Sequence, residues 1–287
     1  MTTGFIGIGS MGMSMAINLH RKGHALCEYD IRDEALAKAR AHAIPVGGSA
    51  VEVAAQSELI IIVVVNAKQI NEVLFADDGR VARAAAGKSV MLCSTIAPED
   101  TEAIAAKLAT FGVTMIDAPI SGGPARAEAG TMSIMLAGDD ALIARHQPVL
   151  DALSDKIFRL SSRIGDGARY KLVNNLAAGI NLVGAAEVIA LGLKLGLDKD
   201  KLLALMCASS GQSMMLEDRM TRALQDDYAP RAHAHILTKD VALGCAMAKP
   251  TGQAMAMATN ALEVLKATLA CGYDDLDDAV VLKILRD

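Results

Sequence analysis

Tryptophan is missing, and only four phenylalanines and four tyrosines occur in 287 residues, so the interior cannot be filled by aromatic rings. No CxxC pair is present, which removes the usual spacing for a structural zinc or a dithiol redox centre. No polybasic run is present either. With a formal net charge of −5 the chain offers nothing to replace phosphate counterions, and no nucleic-acid partner is expected. The N-terminal "MTT" runs directly into the strand-like "GFIGI", without a basic or long apolar leader, so the expected location is cytoplasmic. One segment has the length of a membrane span, residues 172–193, "LVNNLAAGINLVGAAEVIALGL". It carries Asn174, Asn175, Asn181 and Glu187, which a lipid-facing helix does not readily hold, so it reads as a soluble helix buried on most sides, with no membrane partner.

Hydrophobic residues make up 52% of the chain, fifteen of them methionine, so the core must be aliphatic. The five cysteines, Cys27, Cys93, Cys207, Cys245 and Cys271, are odd in number, widely spaced and set among apolar neighbours, as reduced buried thiols would be. The length exceeds the roughly 100–200 residues of one domain, so two are expected. The first part alternates apolar runs at 3–8, 25–30, 59–65, 89–95, 113–119, 132–138 and 156–160 with stretches of helical period. Runs such as "LIIIVVV" are apolar on both faces, as parallel strands covered by helices must be. The stretch 98–111 has Pro98 at its first helical position and acidic residues in its first turn. After about residue 164 the strands stop and helical stretches follow at 172–193, 198–209, 214–225, 233–249 and 254–272. The expected architecture is α/β: a Rossmann-type doubly wound sheet over 1–164, followed by an all-helical domain over 165–287. The acidic "DDLDD" at 274–278 reads as a solvated end.

The first chemical motif is "GIGSMG", Gly7 to Gly12, with Gly9, Ser10 and Met11 inside it. GxGxxG alone is weak in a chain with 24 glycines. Here it follows a strand, opens an amphipathic helix and is followed about twenty residues later by Asp30 at the end of a second strand. Gly7 and Gly9 permit a tight turn and a close approach to a pyrophosphate, whose charge meets N–H groups at the helix N-terminus. Asp30 suits the ribose hydroxyls of NAD and repels the extra phosphate of NADP; Arg32 has the opposite tendency. The competing explanation is a strand-turn-helix unit without a ligand. In "DAPISGGPARAEAG", Ser121, Gly122 and Gly123 follow a strand and can turn backbone N–H groups toward a small anion, although Ser and Gly are equally the ordinary residues of a turn.

"GDGARYKLVNNL" puts Lys171, Asn174 and Asn175 at i, i+3 and i+4, on one face of a helix. A lysine in a first turn lies near the positive end of the helix dipole, and burial also disfavours its charge, so it would exchange a proton near neutrality. The competing explanation is a solvated lysine beside two capping residues. Lys239 with Asp240 reads most simply as a surface pair. His233 and His235, spaced HxH, would point apart on a helix, so no metal is expected.

Taken together, "GFIGIGSMGMSMAINL", "DAPISGG…AGTMSIM", "GDGARYKLVNNL" and "KDVALG" resemble, in order and spacing, the β-hydroxyacid dehydrogenases, relatives of 3-hydroxyisobutyrate and 6-phosphogluconate dehydrogenases. The resemblance covers essentially the whole chain. It implies that Lys171 is the catalytic lysine, that Ser121, Gly122 and Gly123 hold the substrate carboxylate, and that Asn175, with its neighbour Asn174, binds substrate. It further implies cofactor contacts from Val65, Asn66, Thr95 and Lys239, and a helical domain that forms a homodimer or homotetramer. "VVVNAKQINEVLF", "SSGQSMMLEDRM" and "DDYAPRAHAHILTKD" look most like the L-threonate dehydrogenase branch, as does Ala125 where the wider family has glycine. "LVNN" after the lysine follows the wider family instead.

The expected activity is therefore NAD-dependent oxidation of a small hydroxy acid, L-threonate or a related C3–C4 sugar acid, with lysine as general acid/base. A semialdehyde reductase of the tartronate, succinic semialdehyde or glyoxylate type, using NADPH or NADH, would run the same residues in reverse. A decarboxylase of a phosphorylated sugar would want a basic cluster near the motifs, which is absent from the sequence. A non-enzymatic nucleotide-binding protein would leave the lysine and asparagine pair without a reason to stand together.

Overall fold

The strongly apolar runs become the inner strands of one eight-stranded sheet. The computed structural model describes residues 1–286, and the chain separates into two compact units, Met1–Lys171 and Leu172–Asp287. In the first unit, β1 (Thr2–Ile6), β2 (Ala25–Tyr29), β3 (Leu59–Ile62), β4 (Ser89–Leu92), β5 (Thr114–Asp117), β6 (Ile120–Ser121), β7 (Ser133–Ala137) and β8 (Lys156–Ser161) take the order β2-β1-β3-β4-β5-β7-β6, with β8 beside β7. The first five run parallel, whereas β7 is antiparallel to β5 and β6.

The strand period sorts alternate residues into two aliphatic cores. Phe5, Leu59, Ile61, Met91 and Ile116 belong to one, and Ile6, Ile60, Ile62, Val90, Leu92 and Met115 to the other. Each strand is thus apolar on both faces because each face meets a different layer of helices. Two details differ from the sequence expectation. The run at 59–65 ends as a strand at Ile62; Val63 still donates its N–H to the Ile6 carbonyl at 3.0 Å, and Val64 to Asn66 leave the sheet as a connection. The two-residue β6 and the reversal at β7 carry no signal of period, since direction does not alter which side chains are buried.

The second unit packs the remainder of the helix Asp166–Lys194 against Ala234–Ala248, Ala256–Ala270 and shorter helices. That long helix is long and apolar enough to cross a membrane by composition, yet half of its most apolar window is buried within the protein. Glycine permits its close approach to the helix Ala234–Ala248. A Cβ at Gly179 would lie 2.6 Å from Val241 Cγ2, and one at Gly244 would lie 2.6 Å from Leu176 Cγ.

The expectation of a solvated acidic end at 274–278 is corrected. Asp274 and Asp275 are exposed, but Asp277 and Asp278 are 0% and 2% exposed. Arg222 Nη2 donates to Asp277 at 3.0 Å and Arg219 Nε to Asp278 at 2.6 Å, while the Arg231 and Ala232 N–H groups hold the other Asp277 oxygen. Arg222 and Arg219 lie more than fifty residues away, beyond the reach of local pattern. Cys271 is also exposed, unlike the buried Cys27 and Cys93.

One buried carboxyl is left without a partner. Glu28 on β2 is fully buried, and neither carboxylate oxygen has a hydrogen-bond partner among the described residues. Burial pushes its carboxyl up from 4.5 to about 8. Between those values the native state keeps a proton that the unfolded chain has released, so stability falls as pH rises through that window. Glu28→Gln removes the titration. Its melting temperature should gain on that of the wild type as pH is raised from about 5 to about 8, as thermal unfolding at a series of pH values will report; a constant difference across the series would contradict this account.

Candidate active site

Five connections leave the carboxyl ends of the parallel strands: Gly7 to Gly12 after β1, Asp30 to Arg32 after β2, Val63 to Asn66 after β3, Cys93 to Thr95 after β4, and Ala118 to Gly123 after β5. Parallel pairing alone therefore gathers the sequence-predicted residues of this unit on one edge. The chain reverses its direction of travel across the sheet between β1 and β3, which is where open α/β sheets bind their ligands.

Gly7 has φ +90°, and a Cβ there would lie 2.4 Å from the Val63 carbonyl oxygen. At Gly12 a Cβ would lie 2.2 Å from the Gly7 carbonyl oxygen. The helix Ser10–Arg21 begins at Gly9 without a side-chain cap and without an acidic residue in its first turn. Its first N–H groups and dipole face the loop, so these residues fit a dinucleotide pyrophosphate. Asp30 accepts from Ile8 N–H at 2.9 Å, and Arg32 closes on it through Nε at 3.0 Å and Nη2 at 3.1 Å. Burial opposes ionisation of Asp30 and is outweighed by these bonds, Arg32 foremost, so the carboxyl is held below its ordinary range.

Asn66 caps the helix that starts at Ala67 by accepting from Gln69 N–H, and Val65 N–H donates to the Gln69 side chain. Ser94 Oγ accepts from Val64 N–H at 3.0 Å and joins the β3 and β4 connections. Sequence reasoning passed over Ser94, although its place next to Thr95 could have flagged it. Gly122 and Gly123 both have positive φ, +131° and +77°, as a turn that directs successive N–H groups to one side requires.

Asp117, also missed, ends β5 four residues before Ser121. It accepts from Gly165 N–H at 2.9 Å and from Ala168 N–H at 3.2 Å, with a further bond from Gly167, and thereby caps the start of the helix Asp166–Lys194 from about fifty residues away. Lys171 is the sixth residue of that helix, in its second turn and not the first, so the dipole contribution expected there is weakened, since it fades within one turn. Burial is met: Lys171 is 7% exposed.

Asn175 is buried on the same helix, while Asn174 is exposed and donates to the Asn175 oxygen at 3.1 Å. Asn175 Nδ2 in turn donates to Asp240 Oδ2 at 2.7 Å, and Lys239 Nζ to Asp240 Oδ1 at 2.6 Å. The reading of Lys239 and Asp240 as a surface pair is corrected, because Asp240 is 3% exposed. The divergence expected of His233 and His235 is corrected too. His233 is extended, outside the helix that begins at Ala234, and the two rings lie 5.3 Å apart. One nitrogen of each and an Asp275 oxygen come within 4.8 Å of one another. Both Nδ1 atoms face backbone carbonyls, at Asp275 and Asp274, and a carbonyl can only accept, so each Nδ1 carries the proton and fastens the helix start to that loop.

Residues 2–161 match the family model described as the NAD binding domain of 6-phosphogluconate dehydrogenase, and residues 165–285 that described as NAD-binding of NADP-dependent 3-hydroxyisobutyrate dehydrogenase. The chain is 35% identical over 282 residues to an L-threonate dehydrogenase of Escherichia coli, covering 98% of this chain and 93% of that one. It is 36% identical over 280 residues to the L-threonate dehydrogenase of Haemophilus influenzae, covering 97% and 93%. A crystal structure of a 3-hydroxyisobutyrate dehydrogenase from Salmonella typhimurium superposes with a TM-score of 0.92 at 36% identity, over 99% of both chains.

The glycine geometry generates a direct test. In Gly12→Ala the new methyl cannot coexist with the Gly7 carbonyl, so the turn must open. NADH affinity measured by fluorescence titration should fall by about tenfold or more, the size of effect expected when a preformed anion cradle is displaced.

Proposed function

Since the chain belongs to the 3-hydroxyisobutyrate dehydrogenase-like family of NAD-dependent hydroxyacid dehydrogenases, we propose that it oxidises a small hydroxy acid of the L-threonate kind, a C3–C4 sugar acid. The observation that carries this reading is Lys171, a buried amine on the helix face that also carries the buried, oriented amide of Asn175. Ser121 with the Gly122 and Gly123 amides receives the substrate carboxylate. Lys171, as the neutral amine, takes the hydroxyl proton as the carbon–oxygen double bond forms, and Asn175 orients that oxygen with help from Asn174. NAD, when bound, supplies the acceptor for the hydride leaving the carbinol carbon. No residue role in this scheme asks for a metal.

Cofactor contacts are assigned to Gly7, Gly9, Ser10, Met11, Gly12, Asp30, Arg32, Val65, Asn66, Thr95 and Lys239. Preference for NAD over NADP rests on the ionised Asp30, whose negative charge repels a ribose phosphate. Arg32 is the one observation on the other side: its guanidinium is more than half exposed and lies beside Asp30. A semialdehyde reductase driven by NADPH is the second reading, and Arg32 is what favours it. A cytoplasmic location fits the free cysteines. A homodimer or homotetramer built through the helical unit fits the exposed Val173, Leu191 and Leu195 on its surface.

Lys171→Met should lower kcat by about a hundred- to ten-thousand-fold, the worth of general acid–base help, with NADH affinity within a few-fold of wild type. Turnover close to wild type in that variant would sink the role given to the lysine. A spectrophotometric screen of three- to six-carbon hydroxy acids with each nucleotide identifies the substrate. Higher kcat/KM with NAD is expected, and activity confined to NADP would reverse the reading of Asp30.

A further inference from the structure

The structure assigns Asp117 as a positioning residue: its carboxylate registers the helix that carries Lys171 against the loop that carries Ser121, Gly122 and Gly123. This inference rests on the proposed role of Lys171. Asp117 is fixed on both flanks, pairing with Leu92 of β4 and Ala137 of β7, and the next N–H, of Ala118, donates to the Leu92 carbonyl. Four residues further along the same short path is Ser121, itself paired to Ser133 of β7. The carboxylate therefore cannot shift without disturbing the sheet end from which the substrate loop departs.

On the other side, the Gly165, Gly167 and Ala168 amides close on that carboxylate. Glycine is required at 167: a Cβ there would lie 2.9 Å from the carboxyl carbon and from both of its oxygens. Lys171 follows Gly167 by four residues and Ala168 by three, so it stands one turn above the capped amides, and helical side chains lean back toward the N-terminus. Two further bonds hold the same helix start. Arg169 reaches Glu102 at 2.6 Å, and Asp166 accepts from Ser161 Oγ at 2.7 Å. These fix the helix end to its surroundings at the surface, whereas Asp117 fixes it to the strand that leads into the substrate loop. A general base must hold its proton acceptor within hydrogen-bond reach of the substrate hydroxyl, and a displacement of about 1 Å can cost about a hundredfold in rate.

The test compares Asp117→Asn and Asp117→Ala with wild type in steady-state kinetics, NADH titration and urea unfolding. Asp117→Ala, with no acceptor, should lose about ten- to a hundredfold in kcat. Asp117→Asn, which keeps one acceptor oxygen, should lose several-fold. Both should keep NADH affinity within about twofold, because the glycine loop is untouched, and urea midpoints serve to confirm that the enzyme assayed is folded. In the Lys171→Met background, Asp117→Ala should add almost nothing, since a residue that acts through the lysine has nothing left to position. Should Asp117→Ala not fold, the loss of kcat in folded Asp117→Asn decides the matter. Wild-type kcat in the folded variants overturns the inference, as does a loss that multiplies with that of Lys171→Met. If Lys171→Met itself turns over normally, the role of the lysine has failed, and that outcome is read without reference to Asp117.

Discussion

The approach of three backbone segments at Gly7 is the constraint on which the nucleotide-binding unit depends. Strand β1 must turn into its helix within a space bounded by the Val63 carbonyl on one side and by Gly12 on the other, where a single added methyl would approach oxygen to 2.4 or 2.2 Å. Such contacts are far inside van der Waals distance, so no side-chain rearrangement relieves them; either the glycines stay or the turn opens. The tightness has a chemical consequence. It brings the uncapped end of the helix Ser10–Arg21 against the carboxyl edge of β1 and β3, where the connections from β4 and β5 also emerge. Sheet order, turn geometry and helix dipole thus converge on one place because the backbone there has no room to go elsewhere.

How much of this was legible in the sequence follows from the range of each interaction. The strands were legible because burial on both faces leaves uninterrupted apolar runs, and the glycine fingerprint was legible because its turn, helix and acidic partner are all written within about thirty residues. The face shared by Lys171 and Asn175 was legible from helical spacing alone. The turn occupied by Lys171 was not, because the helix start is fixed by Asp117, roughly fifty residues upstream. The proximity of His233 and His235 is hidden from the sequence for a related reason: spacing gives direction only inside a helix, and His233 is the residue just outside it. Asp277 and Asp278 looked like solvent-facing charge because nothing local announces Arg219 and Arg222.

The buried aspartates show that burial alone does not determine how a carboxylate behaves. Asp30 and Asp117 both stand at strand ends, both are almost wholly buried, and both accept backbone N–H bonds. For both, burial is the largest influence and opposes charge. Asp30 nevertheless ionises below its ordinary range, whereas Asp117 is pushed up to about 6. The difference lies in the partner. Arg32 brings a full positive charge through two side-chain bonds, while the amides of Gly165, Gly167 and Ala168 bring only dipoles, and Asp166 adds a like charge nearby. Glu28 marks the limit of the same series, with neither charge nor dipole to meet it and a carboxyl at about 8.

The gradation assigns different kinds of work to the two aspartates. A carboxylate that stays charged at all working pH values, beside a loop that receives a dinucleotide, acts electrostatically on what binds there. One that meets three amides of a helix start acts through direction, because hydrogen bonds to successive N–H groups fix where the first turn points. Lys171 stands one turn beyond that start, so the precision of its placement is inherited from Asp117. Asn175 draws on the same principle in the helical unit, where Asp240 accepts its amide and the ammonium of Lys239 together. In each unit one residue proposed to meet substrate, Lys171 or Asn175, is oriented by an aspartate that need not touch it. Local pattern points to the lysine and the asparagine; the orienting roles of Asp117 and Asp240 emerge only from the fold.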